Sequence, residues 1–352
     1  MMRLEDFDYV LPGELIAQYP SQKREESRLI IFRKNREMVS ESAFSNFPNY
    51  LQPSDLLVIN NTEVIPARIL GNKKTGGSVE VFLVRKTASG RWLALVKPSS
   101  RIREGMEIEV GEGESSIRIT GELGGGNWEV ELPDDIPELD FMERYGHVPL
   151  PPYIKREDED IDAERYQTVY AKHRGSVAAP TAGLHFNEEI LRTIRHKGCV
   201  ILPVTLHIGP GTFRPLNKER VEENRLSAEE FMIDREYWEI IRAARRERRR
   251  VVAVGTTTTR VLEALAHGEV SERRTEQVDG REYIAGSTSL FIYPGFDFRV
   301  VDALLTNLHL PRSSLFLLVS AFAGRENMLR VYEWAVSRKI RFYSYGDAMF
   351  IQ

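Results

Sequence analysis

Between Gly71 and Pro149 the chain keeps a rhythm of two. Val79, Val81 and Leu83 alternate with Glu80 and Phe82, Met106, Ile108 and Val110 with Glu107 and Glu109, and Trp128, Val130 and Leu132 with Glu129 and Glu131. That period puts one set of side chains on the dry face of a strand and the other in water. Residues 92–96 and 118–120 are two further short candidates. Gly76-Gly77, Gly111 with Gly113, and Gly124 to Gly126 supply the turns. About five short strands in roughly 60 residues, with no helix-period segment among them, predict a small antiparallel β-barrel.

The flanks have a different rhythm. Asn187 reads as a helix cap, with Phe186 and Leu191 at staple positions, and Ile190, Leu191 and Ile194 form a stripe ended by Gly198. Residues 199–205 then read as a buried strand. Asp234 caps a second helix that turns Trp238, Ile241 and Ala244 inward and ends in arginines, which suit the negative end of a helix dipole. Residues 251–254 read as a strand, 255–259 as a turn and 261–266 as a helix. Near the end, 313–322 and 327–336 read as helices and 342–351 as a closing strand. Strand–helix alternation implies a largely parallel sheet. Because the buried-strand pattern at 56–59 precedes the barrel region, the expected architecture is a mixed α/β domain, residues 1–70 and 150–352, interrupted by an inserted barrel, residues 71–149.

Composition narrows the function. Of 352 residues, 28% are charged and 42% hydrophobic, as in a folded soluble chain. The single cysteine, Cys199, excludes an internal disulfide and any Cys-cluster metal site and suits a reducing, intracellular setting. The acidic start at residues 1–8 is unlike a secretory signal, and the most apolar stretch, 315–323, is too short to span a bilayer. A net charge of −4 leaves only a local patch, such as the run 242–250, to meet nucleic acid. That run reads equally as a solvated helix end.

Several segments carry chemistry beside a bland alternative. VVAVGTTTTR, 251–260, is strand, glycine turn and hydroxyls at a helix start, which suits an anion and equally an ordinary capped helix. TLHIGPGTFR, 205–214, places His207 at a strand end before Gly209, Pro210 and Gly211, which allow close approach of a flat ligand or simply make a turn. VAAPTAGLHF, 177–186, holds small residues and His185, and TNLHLPR, 306–312, holds Asn307, His309 and Arg312, the polar residues spaced to line one face of a strand. NNTEVIPAR, 60–68, reads as turn residues. Each segment adjoins an expected strand, where an open α/β sheet builds its crevice, and three carry a histidine. No metal-binding spacing is present.

These blocks, in this order and together with YGHVPLPPYI, RYQTVYA, TNLHLPRSSLFLLVSAFAG and YGDAMFI, resemble the S-adenosylmethionine:tRNA ribosyltransferase-isomerase family of queuosine biosynthesis. The likeness runs from about Asp6 to Ile351; only Met1 and the barrel's loops stay unaligned. It implies an α/β domain with an inserted barrel, a cytoplasmic monomer, no metal, and S-adenosylmethionine as ribosyl donor. The implied acceptor is 7-aminomethyl-7-deazaguanine at the wobble position of a tRNA with a GUN anticodon. The implied products are epoxyqueuosine-tRNA, adenine and methionine. A noncatalytic RNA-binding protein and a methyltransferase are the competing functions.

In the mechanism that the resemblance implies, a base takes a C5′ proton beside the sulfonium, ring opening expels adenine, and the aminomethyl nitrogen attacks the exposed carbon. His207 is the expected base, with His185 and His309 as alternates. Arg68, Arg214 and Arg260 are expected to hold a carboxylate, a phosphate or the adenine. Gly255, Thr256, Thr257, Thr258 and Thr259 are expected to face the cosubstrate or a tRNA phosphate. Thr181, Gly209, Gly211 and Asn307 complete the expected substrate contacts. Arg245, Arg246 and Arg249 are the candidate tRNA contacts, and a planar side chain is expected near the site to receive the unstacked base.

Overall fold

The computed structural model describes residues 2–87, 89–213 and 215–352, with the backbone alone at Thr212 and Phe213. At its centre four strands, Val200–Leu206, Leu56–Asn60, Val251–Val254 and Ala303–Asn307, lie side by side and parallel. Their predominance of Val, Leu, Ile and Ala is what strands covered on both faces require, with polar residues gathering at their carboxyl ends. The sheet grows outward to ten strands by mostly antiparallel additions. Glu229–Asp234, Arg281–Thr288 and Ser271–Val278 extend one side, and Ala348–Ile351, Arg28–Arg33 and Met38–Ala43 the other. The expected parallel sheet is therefore only its core.

Alternate residues of that core serve two helical layers. Leu56, Val58, Ala253 and Leu304 pack with Trp238, Ile241, Val261, Phe316 and Met328. Leu57, Ile59, Val252 and Leu305 pack with Phe47, Leu191 and Ile194 on the opposite face. Side chains of this size, fully buried, each contribute about 1.5–3 kcal/mol before entropy is charged against them. The expected caps are in place. Asn187 Oδ1 accepts from Ile190 N at 2.8 Å and Asp234 Oδ1 from Glu236 N at 2.8 Å, opening the helices Glu188–His196 and Arg235–Arg246.

The alternating region forms the barrel. Six antiparallel strands follow in the order Arg68–Lys73, Ser78–Lys86, Trp92–Lys97, Asn127–Glu131, Ser115–Gly124 and Glu107–Val110, and the last pairs back with the first. Gly71 permits that closure: a Cβ there would lie 2.6 Å from the Glu109 carbonyl oxygen and 2.7 Å from Ile108 Cγ2. Val79, Val81, Leu83, Ile108, Val110, Trp128 and Val130 point inward, as their period requires. One helix is present that the alternation does not announce. Glu138–Tyr145 buries Phe141 and Met142 in the barrel core.

The chain leaves for the barrel and returns from it through a two-stranded parallel ribbon, Thr62–Val64 against His173–Ser176.

Candidate active site

Parallel strands bring their carboxyl ends to one edge, and here that edge gathers Asn60, His207, Gly255 and Asn307. A ligand crevice belongs outside such an edge. Two adjoining hollows occupy it, and both touch Ile208 and Leu315. The larger, about 660 Å³, lies between the barrel and the sheet. That is within the ~300–1,000 Å³ usual for small-molecule sites. His207, Gly209, Gly211, Glu229, Arg260 and Phe291 line it from the α/β side, and Arg85, Lys86 and Asn127 from the barrel. The smaller is walled by Ala178–Ala182, Gly255, Thr256, Thr257, Asn307 and His309, with Tyr153, Tyr343 and Ser344 closing it.

The larger hollow holds a buried charge pair. The Arg260 guanidinium bonds a Glu229 carboxylate oxygen and donates to the Leu290 carbonyl at 3.0 Å, both partners being about 5% exposed. Glu229 Oε1 also accepts from Gly209 N at 3.1 Å, so the pair ties the 209–211 turn to the helix Thr256–His267. Arg260 therefore serves first as a strut for that turn, since its charge is already met by Glu229. His207 Nδ1 lies 2.8 Å from Thr62 Oγ1. Burial, with a smaller contribution from the charge of His173, lowers its pKa to about 4. The imidazole is neutral at physiological pH and its Nε2 has no hydrogen-bond partner among the described residues.

In the smaller hollow His309 Nε2 pairs with Thr306 Oγ1 at 2.8 Å, and burial lowers its pKa to about 3. His309 lies beyond the end of the strand Ala303–Asn307, so it and Asn307 do not share a strand face as their spacing suggested. Asn307 donates to the Tyr343 carbonyl at 2.8 Å, while its buried Oδ1 lacks a hydrogen-bond partner among the described residues. Thr181, Gly255, Thr256 and Thr257 also face this space.

Other expected contacts lie elsewhere. His185 is buried behind the wall, outside both linings, with Nδ1 at 2.7 Å from Ser27 Oγ; burial lowers its pKa to about 4. Residues 256–259 are not a turn but the first turn of the helix Thr256–His267. Thr258 and Thr259 are fully buried there and spend their hydroxyls on the Val254 and Gly255 carbonyls, at 2.8 and 3.1 Å. Arg68 sits on a barrel strand, paired with Glu80 at 2.9 Å and Asp158 at 3.6 Å, outside both hollows. Arg214 lies outside the described residues. Arg245, Arg246 and Arg249 end the helix Arg235–Arg246 at the opposite edge of the sheet, where Arg245 bonds Asp302 and Arg249 donates to the Ser54 carbonyl. Their charge run was legible; its distance from the crevice was not.

Sequence reasoning passed over Thr62, Gly175, Glu229 and Tyr343. Thr62 looked like part of a turn, and Glu229 carried no motif. Phe291 is an aromatic side chain in the lining of the larger hollow. Among the described residues no group of three or more His, Cys, Asp or Glu is placed to hold a metal ion, and no helix is long and apolar enough to cross a membrane.

A family model described as a queuosine biosynthesis protein matches residues 4–351. A relative from Aquifex aeolicus (strain VF5), named S-adenosylmethionine:tRNA ribosyltransferase-isomerase, is 47% identical over 350 residues, 99% of this chain and 100% of the relative. One of the same name from Geobacter metallireducens is 47% identical over 353 residues, with the same coverage of 99% and 100%. The crystal structure of an S-adenosylmethionine tRNA ribosyltransferase from Thermotoga maritima superposes with a TM-score of 0.54 at 33% identity, covering 99% of this chain and 100% of that one.

Proposed function

The chain belongs to the queuosine biosynthesis protein family, and from that premise we propose that it is an S-adenosylmethionine:tRNA ribosyltransferase-isomerase. It transfers and rearranges the ribosyl part of S-adenosylmethionine onto 7-aminomethyl-7-deazaguanine at the wobble position of a GUN-anticodon tRNA. Epoxyqueuosine-tRNA forms, and adenine and methionine leave. The protein acts as a cytoplasmic monomer without a metal, with residues 1–70 and 150–352 as the catalytic unit and 71–149 as the inserted barrel.

One observation carries this reading: the strand-end segments 178–182, 207–211, 255–257 and 306–309, far apart in sequence, line one crevice with two adjoining chambers. A reaction that joins a nucleoside to an extruded base needs two such spaces side by side. The smaller chamber offers small side chains and hydroxyls, which suit the nucleoside part of S-adenosylmethionine. The larger chamber, open to the barrel and flanked by Arg85 and Lys86, suits the anticodon base and its phosphates, with Phe291 placed to stack on it.

His207, in the larger space beside the shared wall residue Ile208, is the base. It is neutral, and its Nε2 is available to accept the C5′ proton made acidic by the sulfonium. Ring opening then releases adenine, the aminomethyl nitrogen bonds the exposed carbon as it gives up a proton, and a sugar oxygen closes the epoxide at the carbon bearing sulfur, breaking the carbon–sulfur bond and releasing methionine.

The test is product analysis with purified protein, S-adenosylmethionine and tRNA bearing the aminomethyl base. Adenine and methionine should appear together, and only with the modified tRNA. Formation of S-adenosylhomocysteine would make the protein a methyltransferase. Binding of tRNA without consumption of S-adenosylmethionine would make it a noncatalytic RNA-binding protein.

A further inference from the structure

Three consecutive residues before the barrel grip three consecutive residues at the crevice. Asn60 Oδ1 accepts from Leu206 N at 3.0 Å while its Nδ2 donates to Leu206 O at 3.1 Å, so one amide side chain answers both backbone groups. Asn61 Oδ1 accepts from Thr205 Oγ1 at 2.7 Å. Thr62 Oγ1 meets His207 Nδ1 at 2.8 Å. All three gripping residues are buried. Buried polar side chains with this many complementary partners fix a geometry that turn residues at a surface do not.

The grip on the histidine is also directional. A hydroxyl has one proton to give and lone pairs to accept with. Thr62 Oγ1 has a second neighbour, the His173 carbonyl oxygen at 3.5 Å, which can only accept. With the hydroxyl proton directed there, the oxygen receives a proton from the ring. The ring is held from one side as well. Gly175 stands against it at φ +145°, where a Cβ would lie 3.0 Å from Cε1 and 3.1 Å from each ring nitrogen. The backbone N–H of His207 is anchored on the Glu230 carbonyl at 3.0 Å.

We propose that Thr62 is a positioning residue that holds His207 as its Nδ1–H tautomer, so that the Nε2 lone pair is the acceptor presented to the larger hollow. In a neutral imidazole one nitrogen donates and the other accepts, and the partner of one decides the role of the other. The Nε2–H form would present a proton where a base is required. The inference rests on the role given to His207 above, but the tautomer itself is observable without turnover.

The test is nitrogen-15 NMR of the histidine-labelled full-length protein at neutral pH, combined with turnover by wild type, Thr62→Val and Thr62→Ser. Wild type should show His207 protonated at Nδ1. Valine has the shape of threonine and no acceptor, so T62V should lose that preference and lower kcat by about tenfold or more, part of the ~10²–10⁴-fold that a general base contributes. Its KM for S-adenosylmethionine should hold. T62S keeps the oxygen and should restore both tautomer and kcat. A wild-type ring protonated at Nε2 overturns the proposal by itself, whether or not the valine variant folds. So does a folded T62V that keeps the Nδ1–H form. A tautomer that shifts in T62V with kcat unchanged sustains the positioning device and removes His207 as the base.

Discussion

The two ends of the four central strands are equally polar and chemically opposite. At the amino ends, Asp55, Arg250 and Asp302 directly precede their strands and satisfy one another and the nearby backbone. Arg250 bonds Asp55 at 2.6 Å, and Asp302 takes both Val251 N at 2.8 Å and Arg245. At the carboxyl ends Asn60 and Thr62 are also engaged, Asn60 with the Leu206 backbone and Thr62 with His207, whose Nε2 has no hydrogen-bond partner among the described residues. Asn307 is held through its Nδ2 by the Tyr343 carbonyl, and its side chain also acts on buried His185. Polarity locates both ends of the sheet. Incomplete satisfaction marks the carboxyl end as the candidate site, and full satisfaction marks the amino end as a structural anchor.

The sharpest way to break that contrast is Asp55→Ala. Asp55 is 2% exposed, so its loss strands the Arg250 guanidinium and should cost about 3–5 kcal/mol in urea denaturation, while the folded fraction turns over normally. A normal stability with lost turnover would reverse the assignment of the two ends. His207→Gln should do the opposite: single-turnover rates should fall about tenfold or more with the urea midpoint nearly unchanged, and full activity would move the base elsewhere.

Acid should weaken the carboxyl end first. His185, His207 and His309 are held neutral in the folded state, at about 4, 4 and 3, against an ordinary 6.5 when unfolded. Between pH 6.5 and 4 the unfolded chain binds more protons, so stability falls as pH falls through that window. His185→Gln should flatten the slope by up to about 1.4 kcal/mol per pH unit; an unaltered slope would mean that His185 charges readily in the fold. The smallest effect is expected from Arg245→Glu with Arg246→Glu. At the far edge from the crevice these should leave tRNA affinity and its salt dependence as they were. A change of slope of about one per lost phosphate contact would bring that edge into the interface.

The barrel was legible because alternation reports directly on inward and outward faces: Val79, Val81, Leu83, Trp128 and Val130 are all where their period puts them. Its closure was not, since pairing of Arg68–Lys73 with Glu107–Val110 depends on a glycine accommodating a distant strand. The helix Glu138–Tyr145 escaped because its eight residues bury only the adjacent Phe141 and Met142, too few to show a helical stripe. The helix expected over 261–266 starts earlier: Gly255 at φ +90° sets the chain for an immediate helix from Thr256, and the hydroxyls of Thr258 and Thr259 bond the carbonyls one turn back. In the candidate site, strand-end positions were readable; bonding partners were not. Nothing in a string of residues tells that Arg260 is matched to Glu229 or that Thr62 reaches His207.

The ribbon through which the barrel joins the sheet has one more consequence. Its outgoing strand carries Thr62 and its returning strand carries Gly175, the two residues that clasp His207. Because those strands are stitched to each other, the intervening polypeptide can lengthen, shorten or exchange its loops without altering the clasp. The barrel is thus free to diversify while the His207 imidazole keeps its orientation.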